Sequence, residues 1–207
     1  MGVISELQGT HFHSKRIHSN IHCHSEFKVS KMRIVGQENR ENLLAAISAC
    51  KALKCQDDSI QTCIEKFPGI PHRLEFVTER NGVSFYNDSK SENMDQMVKS
   101  IRAFKDPVIL IAGGRDVETD YEPYLDAISD KVRVLVLVGE VKEKMNRILG
   151  DRAQTFIVGS FEESVLFAYQ KSRTRDTIVL SPGNPSTDIF RDYEERGNYY
   201  KKLIYQL

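Results

Sequence analysis

Val108-Ile109-Leu110-Ile111-Ala112-Gly113-Gly114 is apolar at every position up to its two glycines. A strand with one wet face alternates apolar and polar residues, so a run apolar throughout reads as a strand covered by helices on both faces, the condition of a parallel sheet. Val132 to Val138 has nearly the same character. Working outward, helical patterns at Asn93 to Phe104, Glu122 to Ser129, Val141 to Leu149 and Phe161 to Lys171 alternate with strand patterns. Those strands fall at Val108 to Ala112, Val132 to Val138, Thr155 to Val158 and Thr177 to Leu180, and a last helix follows Asp188. The alternation predicts an α/β fold: a Rossmann-like, mostly parallel sheet with helices on both faces. Ligands of such sheets bind beyond the carboxyl ends of the strands, which singles out the loops at 88–93, 113–120 and 181–188.

Upstream, Leu74 to Glu79 and Val83 to Asn87 flank Asn81-Gly82, a dipeptide that accepts the positive φ angles of a tight hairpin turn. Phe67-Pro68-Gly69-Ile70-Pro71 excludes continued helix and predicts a boundary between residues 1–70 and 71–207. Before it, Leu43, Leu44, Ile47 and Leu53 recur at helical spacing from Asn39 onward. A second helix is expected over Asp57 to Lys66, with Asp57, Asp58 or Ser59 as its cap. Phe27, Val29, Met32 and Ile34 predict one or two short strands, so a small partial α/β segment precedes the main domain.

Composition narrows the classes of function. Among 207 residues, Lys+Arg and Asp+Glu both number 29, so no basic surplus points to nucleic acid or to an anionic membrane. No apolar run approaches the roughly 20 residues that cross a bilayer, and no basic-then-apolar leader opens the chain. A cytoplasmic setting follows. Cys23, Cys50, Cys55 and Cys63 form no CxxC pair and suit a reducing compartment as ordinary thiols. His11 with His13, and His22 with His24, are spaced by two, as a metal site on one strand face could use, with Cys23 on the opposite face. Polar residues of an edge strand read equally from that pattern, and no metal ligand is assigned.

Several stretches carry a resemblance. They are Pro71-His72-Arg73-Leu74-Glu75-Phe76, then Gly82 to Tyr86-Asn87-Asp88-Ser89-Lys90, then Gly113-Gly114-Arg115-Asp116, and last Leu180-Ser181-Pro182 with Ser186, Asp188, Phe190, Glu194, Glu195, Arg196 and Gly197. In order and spacing the chain from Gly36 onward resembles the Mur ligase family, and the Asn-Asp-Ser-Lys loop resembles its D-glutamate-adding branch. The resemblance implies ATP-dependent amide synthesis: the carboxylate of UDP-N-acetylmuramoyl-L-alanine becomes an acyl phosphate, which the amino group of D-glutamate attacks while Mg²⁺ bridges the phosphates.

Roles then follow position by position. Asn39 and Asn42 match the asparagines that approach the adenine, although Glu38 stands where the family has histidine. Arg73 matches the arginine that reaches the phosphates, and Asp88 the carboxylate that accepts from the ribose hydroxyls. For amino-acid binding the resemblance points to Lys90, Glu92, Arg115, Ser186, Thr187 and Tyr193. Ser186 would hold a carboxylate, with help from backbone N–H groups at the last helix. Five of them have a plainer reading as well: Asn39 or Asp88 as a helix cap, Arg73 as a surface partner of Glu75 or Glu79, Lys90 as solvated surface, Tyr193 as helix packing. At the specificity site Val117 replaces a lysine and Glu92 a threonine, two changes that disfavour an acidic substrate.

None of the twelve glycines is followed by Lys-Thr or Lys-Ser, so the phosphate-cradling loop that such a ligase needs is not among these residues. The expectation is the end of a central ATP-binding domain followed by a whole amino-acid-receiving domain, with no catalytic residue of its own. ATP and Mg²⁺ would belong to the complete enzyme and would not bind tightly to this chain alone, and a separately encoded amino-terminal half would be its partner. The other reading is a non-catalytic module of such a ligase that has lost substrate binding.

Overall fold

Six strands form a single sheet in the order β1-β2-β6-β3-β4-β5. They are β1 (Glu75–Arg80), β2 (Val83–Asn87), β3 (Val108–Gly113), β4 (Val132–Val138), β5 (Gln154–Ile157) and β6 (Thr177–Gly183). The computed structural model describes residues 26–32 and 34–207. Only the β1–β2 hairpin is antiparallel, and every other pair is parallel. At its turn Asn81 and Gly82 have φ of 52° and 75°, the paired positive values that let a two-residue turn follow the twist of the strands.

The predicted double cover is present. Ile109 and Ile111 of β3, with Val134 and Val136 of β4, pack against α6 (Phe161–Gln170) and α7 (Tyr193–Gln206). Their neighbours Leu110, Leu135 and Leu137 point the other way, onto α3 (Met94–Arg102), α4 (Leu125–Lys131) and α5 (Lys142–Leu149). The period of two in the pleat thus sends one apolar run into two cores. The helix expected at Glu122 to Ser129 begins instead as a 3-10 turn, Glu122–Tyr124, before α4, since Pro123 lies within that turn.

Helices α1 (Gln37–Ala52) and α2 (Asp57–Lys66) precede the sheet. They share a much smaller core, with Phe27, Ile47, Ile60 and Ile64 buried together. Two expectations need correcting here. No side chain caps α2: Gln56 is its N-cap residue, and Asp57 and Asp58 lie in the first turn, where the helix dipole favours them. The strands expected at Phe27 to Ile34 are likewise not formed among the described residues, and Val29–Lys31 is a 3-10 turn closed by the Met32 N–H on the Val29 carbonyl. Among the described residues no strand pairs with the run; its backbone is satisfied by the turn and by the Lys28 N–H on Gln61 Oε1, while Phe27 turns into the small core. The paired histidines at 11, 13, 22 and 24, with Cys23, lie outside the described residues.

Candidate functional site

The loop from β2 to α3 is held by buried polar bonds before it offers anything to a ligand. Asn87 donates through Nδ2 to Glu75 Oε2 at 3.0 Å and accepts the Ser89 N–H on Oδ1 at 3.2 Å. Glu75 also accepts from the His72 N–H at 2.9 Å and from Lys201 Nζ at 3.0 Å. Gly197 lets α7 close over this cluster: a Cβ there would lie 2.1 Å from His72 Nδ1. Ser89 donates to the Tyr193 carbonyl and accepts from Arg196 Nε at 2.9 Å, which ties the loop to the start of α7.

Asp88 is sealed into the same frame. Its Oδ1 accepts the Leu74 N–H at 3.0 Å, and its Oδ2 accepts the hydroxyls of Ser91 and Ser181. Burial pushes its pKa up, against the opposing pull of Ser100, Ser91 and Ser181 and of the Leu74 N–H. It does not cap the following helix; Asn93 does, accepting the Gln96 N–H at 2.9 Å.

Above this loop lies a cleft of about 370 Å³ between the start of α1 and the sheet domain. Asn39, Arg73, Asp88 and Lys90 all line it, so three of the four predicted nucleotide residues meet there together with one lysine assigned to the amino acid. Asn39 is not the cap of α1, since the N-cap residue is Gly36; its side chain donates instead to the Val35 carbonyl at 2.6 Å. Arg73 is exposed at the wall, and Glu75, its suggested surface partner, is engaged by Lys201, His72 and Asn87. Asn42 does not reach the cleft and lines an apolar groove between α1 and α2. Gln96, Lys99, Ser100 and Arg102 are also among the lining residues. Sequence reading passed them over, although 96, 99 and 100 share a helix face one turn past the Asp88 loop.

A second cluster lies where the loops after β3 and β6 meet, at the carboxyl ends of the strands. Gly113 is required there: with φ of 131°, a Cβ would lie 1.7 Å from the Val138 carbonyl oxygen. Ser186 is fully buried, its Oγ has no hydrogen-bond partner among the described residues, and its N–H donates to Glu92 Oε1 at 3.3 Å. Arg115 Nη1 reaches Thr187 Oγ1 at 3.4 Å, so these two predicted residues are neighbours. Arg196, for which the sequence suggested no role, lies beneath. It is 3% exposed, donates to the carbonyls of Ser89 and Asn184, and holds Nη2 3.8 Å from Glu92 Oε1. Burial lowers its pKa to about 10, against the attraction of Glu92 and Asp188. Tyr193 joins Lys90 rather than Arg115, with the Lys90 ammonium 5.1 Å from its ring centroid and His72 edge-on at 6.0 Å.

Comparison with known proteins gives this geometry relatives. The family model described as Mur ligase, glutamate ligase domain, matches residues 72–184. UDP-N-acetylmuramoylalanine--D-glutamate ligase of Bdellovibrio bacteriovorus is 46% identical over 178 residues, which are 86% of this chain and 38% of that protein. The ligase of the same name from Caldanaerobacter subterraneus subsp. tengcongensis is 39% identical over 87% of this chain and 41% of its own length. The chain thus spans about two fifths of the length of these curated relatives. UDP-N-acetylmuramate-alanine ligase of Thermotoga maritima shares the fold, with a TM-score of 0.60 at 15% identity over 84% of this chain and 39% of that one.

Proposed function

The chain belongs to the Mur ligase family through its glutamate ligase domain, and from that premise we propose that it is the carboxyl-terminal part of an ATP-dependent peptidoglycan-precursor ligase. The reaction is addition of D-glutamate to UDP-N-acetylmuramoyl-L-alanine by way of an acyl phosphate. Residues 71–207 receive the amino acid and close over the nucleotide, and residues 1–70 are the trailing part of the central ATP-binding domain. The setting is the cytoplasm; among the described residues no helix is long and apolar enough to cross a membrane.

One observation carries this reading: Asn39, Arg73 and Lys90 converge on a single cleft beside the loop that Asp88 pins. Arg73 supplies a planar, permanently charged donor for phosphate oxygens, and Lys90 a second cation. Beyond the strands, the Ser186 N–H and its buried hydroxyl form a seat for a carboxylate of the amino acid, next to Arg115 and Thr187. Asp88 contributes by holding the loop in place, since its oxygens already accept from Leu74, Ser91 and Ser181. Among the described residues no group of three or more acidic, histidine or cysteine side chains is placed to hold Mg²⁺.

None of the glycines here opens a phosphate-cradling Gly-Lys-Thr or Gly-Lys-Ser loop, so in this reading turnover of ATP needs the domain that carries one. The test is to mix it with a polypeptide that supplies the uridine- and P-loop domains of such a ligase. Phosphate release from ATP that depends on both D-glutamate and UDP-N-acetylmuramoyl-L-alanine is expected only in the mixture, and Arg73→Ala should lower kcat/KM for ATP by about tenfold or more. A mixture that stays silent, together with no binding of ADP or D-glutamate to the chain, would overturn the proposal. One observation favours the second reading, a module without substrate binding. Val117 stands half-exposed in the loop where the resemblance places a lysine, and puts no cation there.

A further inference from the structure

We propose that Glu92 is a built-in competitor of the amino-acid substrate: its carboxylate occupies the seat formed by Ser186 and Arg196, and so sets the affinity of the site for acidic amino acids. This rests on the reading of that seat as the D-glutamate pocket.

Three observations meet at this place. Ser186 is fully buried, with its Oγ unpartnered among the described residues, so a polar atom that costs stability when left unpaired is kept at the seat. The Ser186 N–H donates to Glu92 Oε1, at 3.3 Å. The same oxygen lies 3.8 Å from the guanidinium of Arg196, whose hydrogen bonds go to neutral acceptors, namely Ser89 Oγ, the Ser89 carbonyl and the Asn184 carbonyl. Glu92 is therefore both the anion on the backbone N–H and, with Asp188, a counter-charge to a buried arginine.

A carboxylate arriving from solution meets this anion in place. It either displaces Glu92, losing the pair that Glu92 makes, or binds beside it against like-charge repulsion. Displacement is mechanically available. The backbone of Glu92 is fixed by its N–H on the Lys90 carbonyl and on Gln96 Oε1, while its side chain is 35% exposed and can swing to solvent. An acidic amino acid thus binds this chain more weakly than it would bind the same pocket without the Glu92 charge.

Calorimetric titration of D-glutamate into the chain, Glu92→Thr and Glu92→Gln tests this, with circular dichroism to show that each variant is folded. Glu92→Gln keeps the side-chain shape and an acceptor for Ser186, and so answers if Glu92→Thr fails to fold with Arg196 less compensated. The expected result is a Kd for D-glutamate about tenfold or more tighter in the variants than in the parent chain. Binding that is equal or weaker in the folded variants overturns the inference and leaves the pocket assignment standing. No binding of D-glutamate by any of the three folded chains removes the pocket assignment, and the inference with it.

Discussion

The sheet domain and the α1–α2 pair are built from similar apolar residues, yet they bury them to different depths. In the sheet domain two cores, one on each face, hold thirty buried residues, fifteen in each. Among the described residues the core of the helical pair holds four, Phe27 included, and Leu53, Phe67 and Ile70 nearby are exposed. Hydrophobic stabilisation scales with the area removed from water, so among the described residues the first region gains more from burial than the second. The candidate nucleotide cleft lies between them. Its rigid wall, with Asp88 and Lys90, is thus set by the stronger region, and its Asn39 wall by the weaker one.

The contrast can be broken at its strong end first. Gly113→Ala sets a Cβ against the Val138 carbonyl at a φ of 131°, a clash with backbone that no rotamer relieves. A loss of more than about 4 kcal/mol is expected in urea unfolding, enough to leave the chain largely unfolded. Next, Ile111→Ala and Ile60→Ala make a matched pair. Ile111→Ala should cost the sheet domain about 3 kcal/mol of global stability. Ile60→Ala should abolish amide protection in α1 and α2 while protection in β3 and β4 is unchanged, as hydrogen exchange followed by mass spectrometry can read. Loss of protection in all elements together would show that the two regions form one cooperative unit.

A smaller effect is expected from His72, which sits under the cleft loop. Burial and the nearby Lys201 hold its imidazole below the ordinary value, against Glu75, Glu194 and Asp192. The unfolded chain then takes up the proton first, so this contribution to stability is complete above pH of about 6.5 and is lost as pH falls from there towards the native value. Thermal midpoints should therefore drop on the acid side of about pH 6.5, and His72→Gln should flatten that slope. A slope unchanged by the substitution would assign the effect to other groups. Smallest of all is Lys51→Ala. Its pairs with Asp57 and Glu26 lie on the exposed surface of the weak region, and no measurable change in the midpoint is expected.

The legibility of the chain follows the same division. In the sheet domain, local pattern and tertiary outcome agree: β4 at Val132–Val138 falls where the apolar run placed it, and the Asn81-Gly82 turn forms with the φ angles that its residues favour. In the weaker region the helix Asp57–Lys66 was legible, because its signal lies in its own spacing. The residues at 27–32 read as strand from their apolar spacing but hold a 3-10 turn, since a strand exists only with a partner and spacing alone cannot show whether one is near.

For the candidate site, the resemblance named Arg73, Asp88 and Lys90 in advance, and these three do line one cleft. What each side chain touches it did not name. Asp88 is an inward tie, Asn42 faces a different groove, and Glu92 reaches 94 residues along the chain to Ser186. By itself the sequence determined the double-covered sheet, because period and composition act over a few neighbouring residues. Only the tertiary structure decided that Glu92 faces Ser186 and Arg196, since a contact between distant segments depends on how the loops after β2 and β6 are brought together.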